Sequence, residues 1–133
     1  MNYTTRDYPQ EYPLRTTVAE IDITQLRANF RAVCSRAKGI PAMPVIKADA
    51  YGHGIVPCAV ALAQEGAQML GVAFAAEAEP LRSDRRVPYE IPIAVVTPPF
   101  PHGAQEYCRL NLEFCAASMT TMRAFSAEAA RTG

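Results

Sequence analysis

Four short apolar runs, at 42–46, 69–75, 91–96 and 112–116, begin 27, 22 and 21 residues apart. This rhythm constrains the fold more than any other feature of the chain. Each run has few polar interruptions, as expected of strands buried on both faces of a parallel sheet. Parallel neighbours cannot be joined by a hairpin, so each needs a crossover of about a dozen residues or more, usually a helix. The intervals supply it. Helical stretches are expected over 55–65, closed by Gly66, then over 77–83, 102–110, and 120–131 ahead of Gly133. The fold class is α/β.

A different pattern precedes the repeat. Residues 18–23 alternate weakly, with Ile21 and Ile23 on one side and Asp22 on the other, as in a strand with one wet face. Thr24 is the expected N-cap of a helix carrying Leu26, Phe30, Val33 and Ala37 at helical spacing, with Gly39 as its stop. Repeated βα units build either an open doubly wound sheet or a closed (β/α)8 barrel. Four inner strands are too few for the barrel, which takes about 250 residues. The last helix meets Gly133 with no closing segment, so the chain is expected to be the first part of something larger. Residues 1–15 are polar, and Pro9 and Pro13 cannot sit inside a helix; they are expected to form an extended arm, with 16–133 as the partial barrel.

Charge narrows the partners. Thirteen basic residues balance thirteen acidic ones, giving no long-range pull on nucleic acid or an anionic membrane. No apolar run approaches the ~18 residues of a membrane span, and the first residues lack a secretory core, so a cytoplasmic protein is expected. Cysteines stand at 34, 58, 108 and 115, none in a C-x-x-C pair. Neither His53 nor His102 joins them at zinc-ligand spacing. The thiols are expected to be free, buried or half-buried, with no metal site.

Residues 45–54 read VIKADAYGHG. Lys47 falls at the C-terminal end of the first apolar run, on the rim where α/β folds build active sites. A lysine partly enclosed at such a rim loses solvation, which favours the neutral amine. A neutral amine attacks aldehydes and forms a Schiff base, the standard attachment of pyridoxal phosphate. Gly52 and Gly54 let the backbone turn tightly into the next helix, and the Tyr51 hydroxyl is placed to meet an anionic group such as a cofactor phosphate. Each residue also has a plainer use: a strand-end lysine on the surface, a packing tyrosine, glycines in a turn. His53 is read as shaping the loop by hydrogen bonding, Glu77 and Glu79 as opening a helix, and His102 as a surface residue.

The whole string VIKADAYGHG resembles the pyridoxal-phosphate attachment segment of bacterial alanine racemases almost letter for letter. TVAEIDITQLRANF, QEGA and VAFAAEAEPLR resemble further stretches of that family, so the likeness runs in order over 16–133. It implies a (β/α)8 barrel joined to a C-terminal β domain, a homodimer, and interconversion of L- and D-alanine for peptidoglycan. By position, Lys47 would carry the cofactor and act as base on one face of the substrate, and Tyr51 would hydrogen-bond the cofactor phosphate. The family's opposite-face tyrosine and its arginine at the pyridine nitrogen have no counterpart in this chain, which is therefore expected to be inactive alone. Pro80 departs from the family pattern and is expected in the first turn of its helix, where a missing N–H costs nothing. Two other readings stay open: a non-catalytic half-barrel that assembles with another copy or fragment, and a racemase of broader specificity, serine included. A single-domain pyridoxal-phosphate carrier is disfavoured by the DAYGHG continuation.

Overall fold

Pro44 has no N–H to give a sheet, and its effect is visible where the repeat begins. The computed structural model describes residues 2–4 and 18–132. In it, the 42–46 run lies beside β3 (Leu70–Val72) through a single parallel bridge, Val45 to Gly71. Ile46 N–H donates to the Gly71 carbonyl (2.8 Å), and Gly71 N–H donates to the Pro44 carbonyl (2.9 Å). The rung before this one would need the N–H that proline lacks, so the pairing stops there.

From β3 the sheet grows regularly. β4 (Ile93–Val95) pairs parallel with β3, Leu70 opposite Ile93 and Val72 opposite Val95. β5 (Leu112–Phe114) pairs parallel with β4, Ile93 opposite Leu112 and Val95 opposite Phe114. Sheet order thus follows chain order, without the reversal that marks a doubly wound sheet. Sequential parallel strands are how a (β/α)8 barrel propagates.

The other elements fit between and before these strands. β1 (Asn2–Thr4) pairs antiparallel with β2 (Glu20–Asp22), so the beginning of the expected arm is a paired strand. Residues 5–17, the rest of that arm and its junction, lie outside the described residues. α1 (Ile23–Arg36) starts one residue earlier than its expected cap. Asp22 accepts the Gln25 N–H at 2.9 Å and is the N-cap, while Thr24 is already helical. A carboxylate suits the positive end of a helix better than a hydroxyl. α3 (Ile55–Gln64) follows the lysine segment, labelled α2 (Lys47–Gly52). A 3-10 turn (Ala75–Ala78) leads into α4 (Glu79–Ser83), where Pro80 sits in the first turn as expected. α5 (Ala104–Arg109) follows a second 3-10 turn (Pro101–Gly103), and α6 (Met119–Thr132) closes the described chain.

The core lies between sheet and helices. Leu70, Val72, Leu81, Ile93 and Val95 are its most enclosed large side chains. Burying each such side chain contributes about 1.5–3 kcal/mol. β3 is buried throughout, as the sequence pattern requires. β5 is not: Leu112 and Phe114 are half-buried and Glu113 is exposed. β5 is the edge strand among the described residues, paired only with β4, and its Glu113, on the face opposite Leu112 and Phe114, is a carboxylate that resists burial. Phe114 instead packs on Phe125 of α6 at a ring separation of 4.2 Å, with Tyr107 edge-on to both. α1 is clamped to the end of α3 by Arg27 and Arg31, which both reach Glu65 (3.1 and 2.8 Å). All four thiols are free, but Cys115 is exposed rather than buried, because it follows the half-covered strand β5.

Candidate active site

The strand rung after Val45–Gly71 would join Ala48 N–H to the Ala73 carbonyl and Ala73 N–H to the Ile46 carbonyl. Neither bond forms. The Ile46 carbonyl instead accepts Ala50 N–H at 2.9 Å, closing a helical turn that starts at Lys47. That turn is left-handed. Ala48, Asp49, Ala50 and Tyr51 have φ of 52°, 54°, 53° and 56°, with ψ between 37° and 52°. For L-residues this conformation costs about 1–2 kcal/mol per residue, and outside glycine it is normally visited singly. Gly52 (φ 83°) and Gly54 (φ 88°) continue on the positive side, which costs glycine little.

Backbone strain of this size persists only where neighbours over-determine it. Three side chains do so here. Asp49 Oδ1 accepts the Ile55 N–H at 2.7 Å and so caps α3, whose N-cap Gly54 has no side chain for the task. His53 Nδ1–H donates to the Ala50 carbonyl at 2.8 Å, the loop-shaping role expected of it. Glu77 reaches across from the end of β3. One of its oxygens accepts Ala48 N–H (2.6 Å); the other accepts Ala73 N–H (2.7 Å) and Phe74 N–H (3.2 Å).

Lys47 opens the turn, half-buried at the C-terminal rim of the parallel strands. Among the described residues its ammonium has no hydrogen-bond or ion-pair partner. Tyr51 ends the same turn and is 63 % exposed. The two sequence-predicted site residues therefore share one strained segment. They do not share the large cavity beside it, about 510 Å³, which is lined by Leu26, Phe30, Val33, Ile46 and Tyr51 but not by Lys47. That space is mostly apolar and belongs to the packing of α1 against the 44–46 strand. The rim that carries Lys47 is adjacent to it.

Glu77 and Asp49 were not legible as site residues. Glu77 does open a helical segment, as expected, but also ties that segment to the lysine turn. The available signal was its place in VAFAAEAEPLR, one of the stretches shared with the racemases. Glu79 pairs with Arg109 at 2.6 Å, away from this cluster. His102 is exposed and stacked on Phe100, ring centroids 5.6 Å apart.

Comparison with known proteins decides the family. A profile described as "Alanine racemase, N-terminal domain" matches residues 21–133. The chain belongs to that family. An alanine racemase of Streptomyces coelicolor is 55 % identical over 65 residues, 49 % of this chain and 17 % of that protein. One from Carboxydothermus hydrogenoformans is 48 % identical over 69 residues, 52 % of this chain and 19 % of that protein. The solved S. coelicolor alanine racemase superposes with a TM-score of 0.77 at 37 % identity, covering 85 % of this chain and 30 % of that one. A histidine racemase from Leuconostoc mesenteroides superposes with a TM-score of 0.71 at 25 % identity, covering 84 % of this chain and 29 % of that one. The aligned segments thus span under a fifth of the length of these curated alanine racemases, and the superposed part of the chain covers 30 % of the solved one. As a member of the alanine racemase N-terminal domain family, its sequence-ordered parallel strands are part of a (β/α)8 barrel, preceded by β2 and α1.

Proposed function

We propose that this chain is the lysine-bearing portion of a pyridoxal-phosphate-dependent racemase that interconverts L- and D-alanine. The observation that carries the reading is Lys47, half-buried on the strand rim, unpartnered among the described residues, and held at the start of a left-handed turn. The residues present fit such a cofactor. An aldehyde requires an amine not committed to an acid, and Lys47 offers one. An anionic phosphate requires an accessible donor, and the exposed Tyr51 hydroxyl four residues on is one. Lys47 and Tyr51 are accordingly assigned to cofactor binding. Once bound, pyridoxal phosphate spreads the negative charge left by a departing α-proton over its ring. The protein's task is then to hold a base at each face of a planar carbon. Lys47 is assigned to one face, taking or returning a proton through its side-chain nitrogen. By the family resemblance, a tyrosine from the second subunit of a homodimer serves the other, and the product supplies peptidoglycan synthesis in the cytoplasm. Residues 16–133 form the barrel portion in this reading, and 1–15 an arm. Consistent with that compartment, no helix of the described residues is long and apolar enough to cross a membrane.

The test is reductive trapping. The chain is mixed with pyridoxal phosphate and treated with borohydride, and the modified peptide is mapped by mass spectrometry, with Lys47→Ala as control. Selective labelling of Lys47 over Lys38, the other lysine, is expected. Equal labelling of both, or of neither, would overturn the assignment. A second reading concerns substrate alone. The histidine racemase likeness at a TM-score of 0.71 favours a fold that tolerates other amino acids, so alanine specificity would reside in residues outside the matched segment.

A further inference from the structure

We infer that Glu77 is a positioning residue for Lys47, and that its carboxylate substitutes for a missing rung of the sheet. The inference rests on the reading of Lys47 as the cofactor anchor. In parallel register, Ala48 N–H and Ala73 N–H are the two donors of the rung after Val45–Gly71. Both donate to Glu77 instead, one to each carboxylate oxygen, at 2.6 and 2.7 Å. The glutamate is wedged between the strand ends at the level of the lysine. It satisfies the donors that the abandoned rung would leave unpaired, which would otherwise cost about 1–3 kcal/mol each if buried.

The substitution has a directional consequence. With Ala73 N–H taken by Glu77, the Ile46 carbonyl is left to accept from Ala50, and with Ala48 N–H also taken the chain has no rung to continue. The chain therefore leaves the sheet at Lys47 and enters the left-handed turn, instead of continuing as strand. Hydrogen bonds to an ionised acceptor are about twice as strong as neutral ones, which suits a carboxylate asked to hold strained backbone. Glu77 need not touch substrate or cofactor. It fixes the peptide immediately after Lys47, and so fixes where the lysine side chain begins.

Two substitutions test this in the 133-residue chain with two readouts, amide hydrogen exchange at Ala48 and the Lys47:Lys38 trapping ratio with pyridoxal phosphate. Glu77→Ala removes all three acceptor contacts. Glu77→Gln keeps the size but has a single acceptor oxygen, its NH2 facing one of the two donors. In both variants Ala48 exchange is expected to quicken and the trapping ratio to fall, each by about tenfold, as for loss of one charge-assisted bond. The amides of β4 are expected to exchange as before. If Glu77→Ala unfolds, β4 exchange reveals it and Glu77→Gln decides. Unchanged Ala48 exchange, or quickened exchange with an unchanged ratio, overturns the inference. Should the unmutated chain itself show no preference for Lys47, the anchor reading fails, and with it the positioning role.

Discussion

Cys58 lies directly beneath the lysine turn, 3 % exposed, its Sγ 3.8 Å from the His53 carbonyl. Burial, and secondarily the Asp49 carboxylate, push its thiol from 9.0 up to about 11. Thiolate is the reactive form, so Cys58 should resist alkylation through mildly alkaline pH while exposed Cys115 reacts. Mass mapping after iodoacetamide treatment checks this; early modification of Cys58 would refute it. The linkage runs the same way. The folded form holds this proton more tightly than the unfolded one, so the contribution is full below the ordinary value of 9.0 and is lost as pH rises through about 11. Lys47 and Tyr51 could be picked from the string VIKADAYGHG because a short motif carries them whole. Glu77 could not, because its partner Ala48 is 29 residues distant and offers only a backbone N–H, which every non-proline residue has.

Among the elements, the strands were legible and their limits less so. The 69–75 run yields only Leu70–Val72 as strand, since Ala73 and Phe74 N–H turn to Glu77. The left-handed turn was invisible in sequence. Ala and Tyr have no preference for that conformation, so it is imposed by contacts and not by propensity. Another long-range device acts at the opposite rim. The Arg82 guanidinium donates to the carbonyls of Tyr89 (2.9 Å), Ile91 (3.1 Å), Leu110 (2.8 Å) and Asn111 (2.9 Å), just ahead of β4 and β5. It also lies 5.0 Å from the centre of the Tyr89 ring. Arg82→Ala should lower stability by about 3 kcal/mol, as for a network of charge-assisted bonds. Arg82→Lys should recover only part, because an ammonium has no planar fork to span both strand entries. Urea denaturation midpoints measure both, and full recovery by lysine would count against this account.

At the scale of the whole molecule, the α/β class and the parallel sheet followed from the spacing of apolar runs, which left the strand order open between a doubly wound sheet and a barrel; the barrel came from the family resemblance. The expected burial of every run on both faces failed at the two edges of the described sheet: at 42–46, where Met43 and Val45 are exposed, and at β5, where Glu113 interrupts. What the spacing could not give is the chemistry, which the VIKADAYGHG motif and the family match carry. The 133-residue chain should not racemise alanine by itself, because the proposed mechanism needs a base at each face and Lys47 supplies one. Polarimetry or a coupled D-amino-acid oxidase assay on chain freed of contaminating racemase checks this. Turnover that tracks the purified chain would refute it.

Glu77 and Arg82 lie on consecutive turns of one short helical segment, 75–83. The first grips the outgoing ends of the 42–46 run and β3; the second grips the incoming ends of β4 and β5. The interval between them acts as a gauge length across the sheet. Inserting or deleting one residue there would rotate one grip by about 100° relative to the other, so only one rim could stay engaged. This stretch should therefore tolerate changes of residue far better than changes of length.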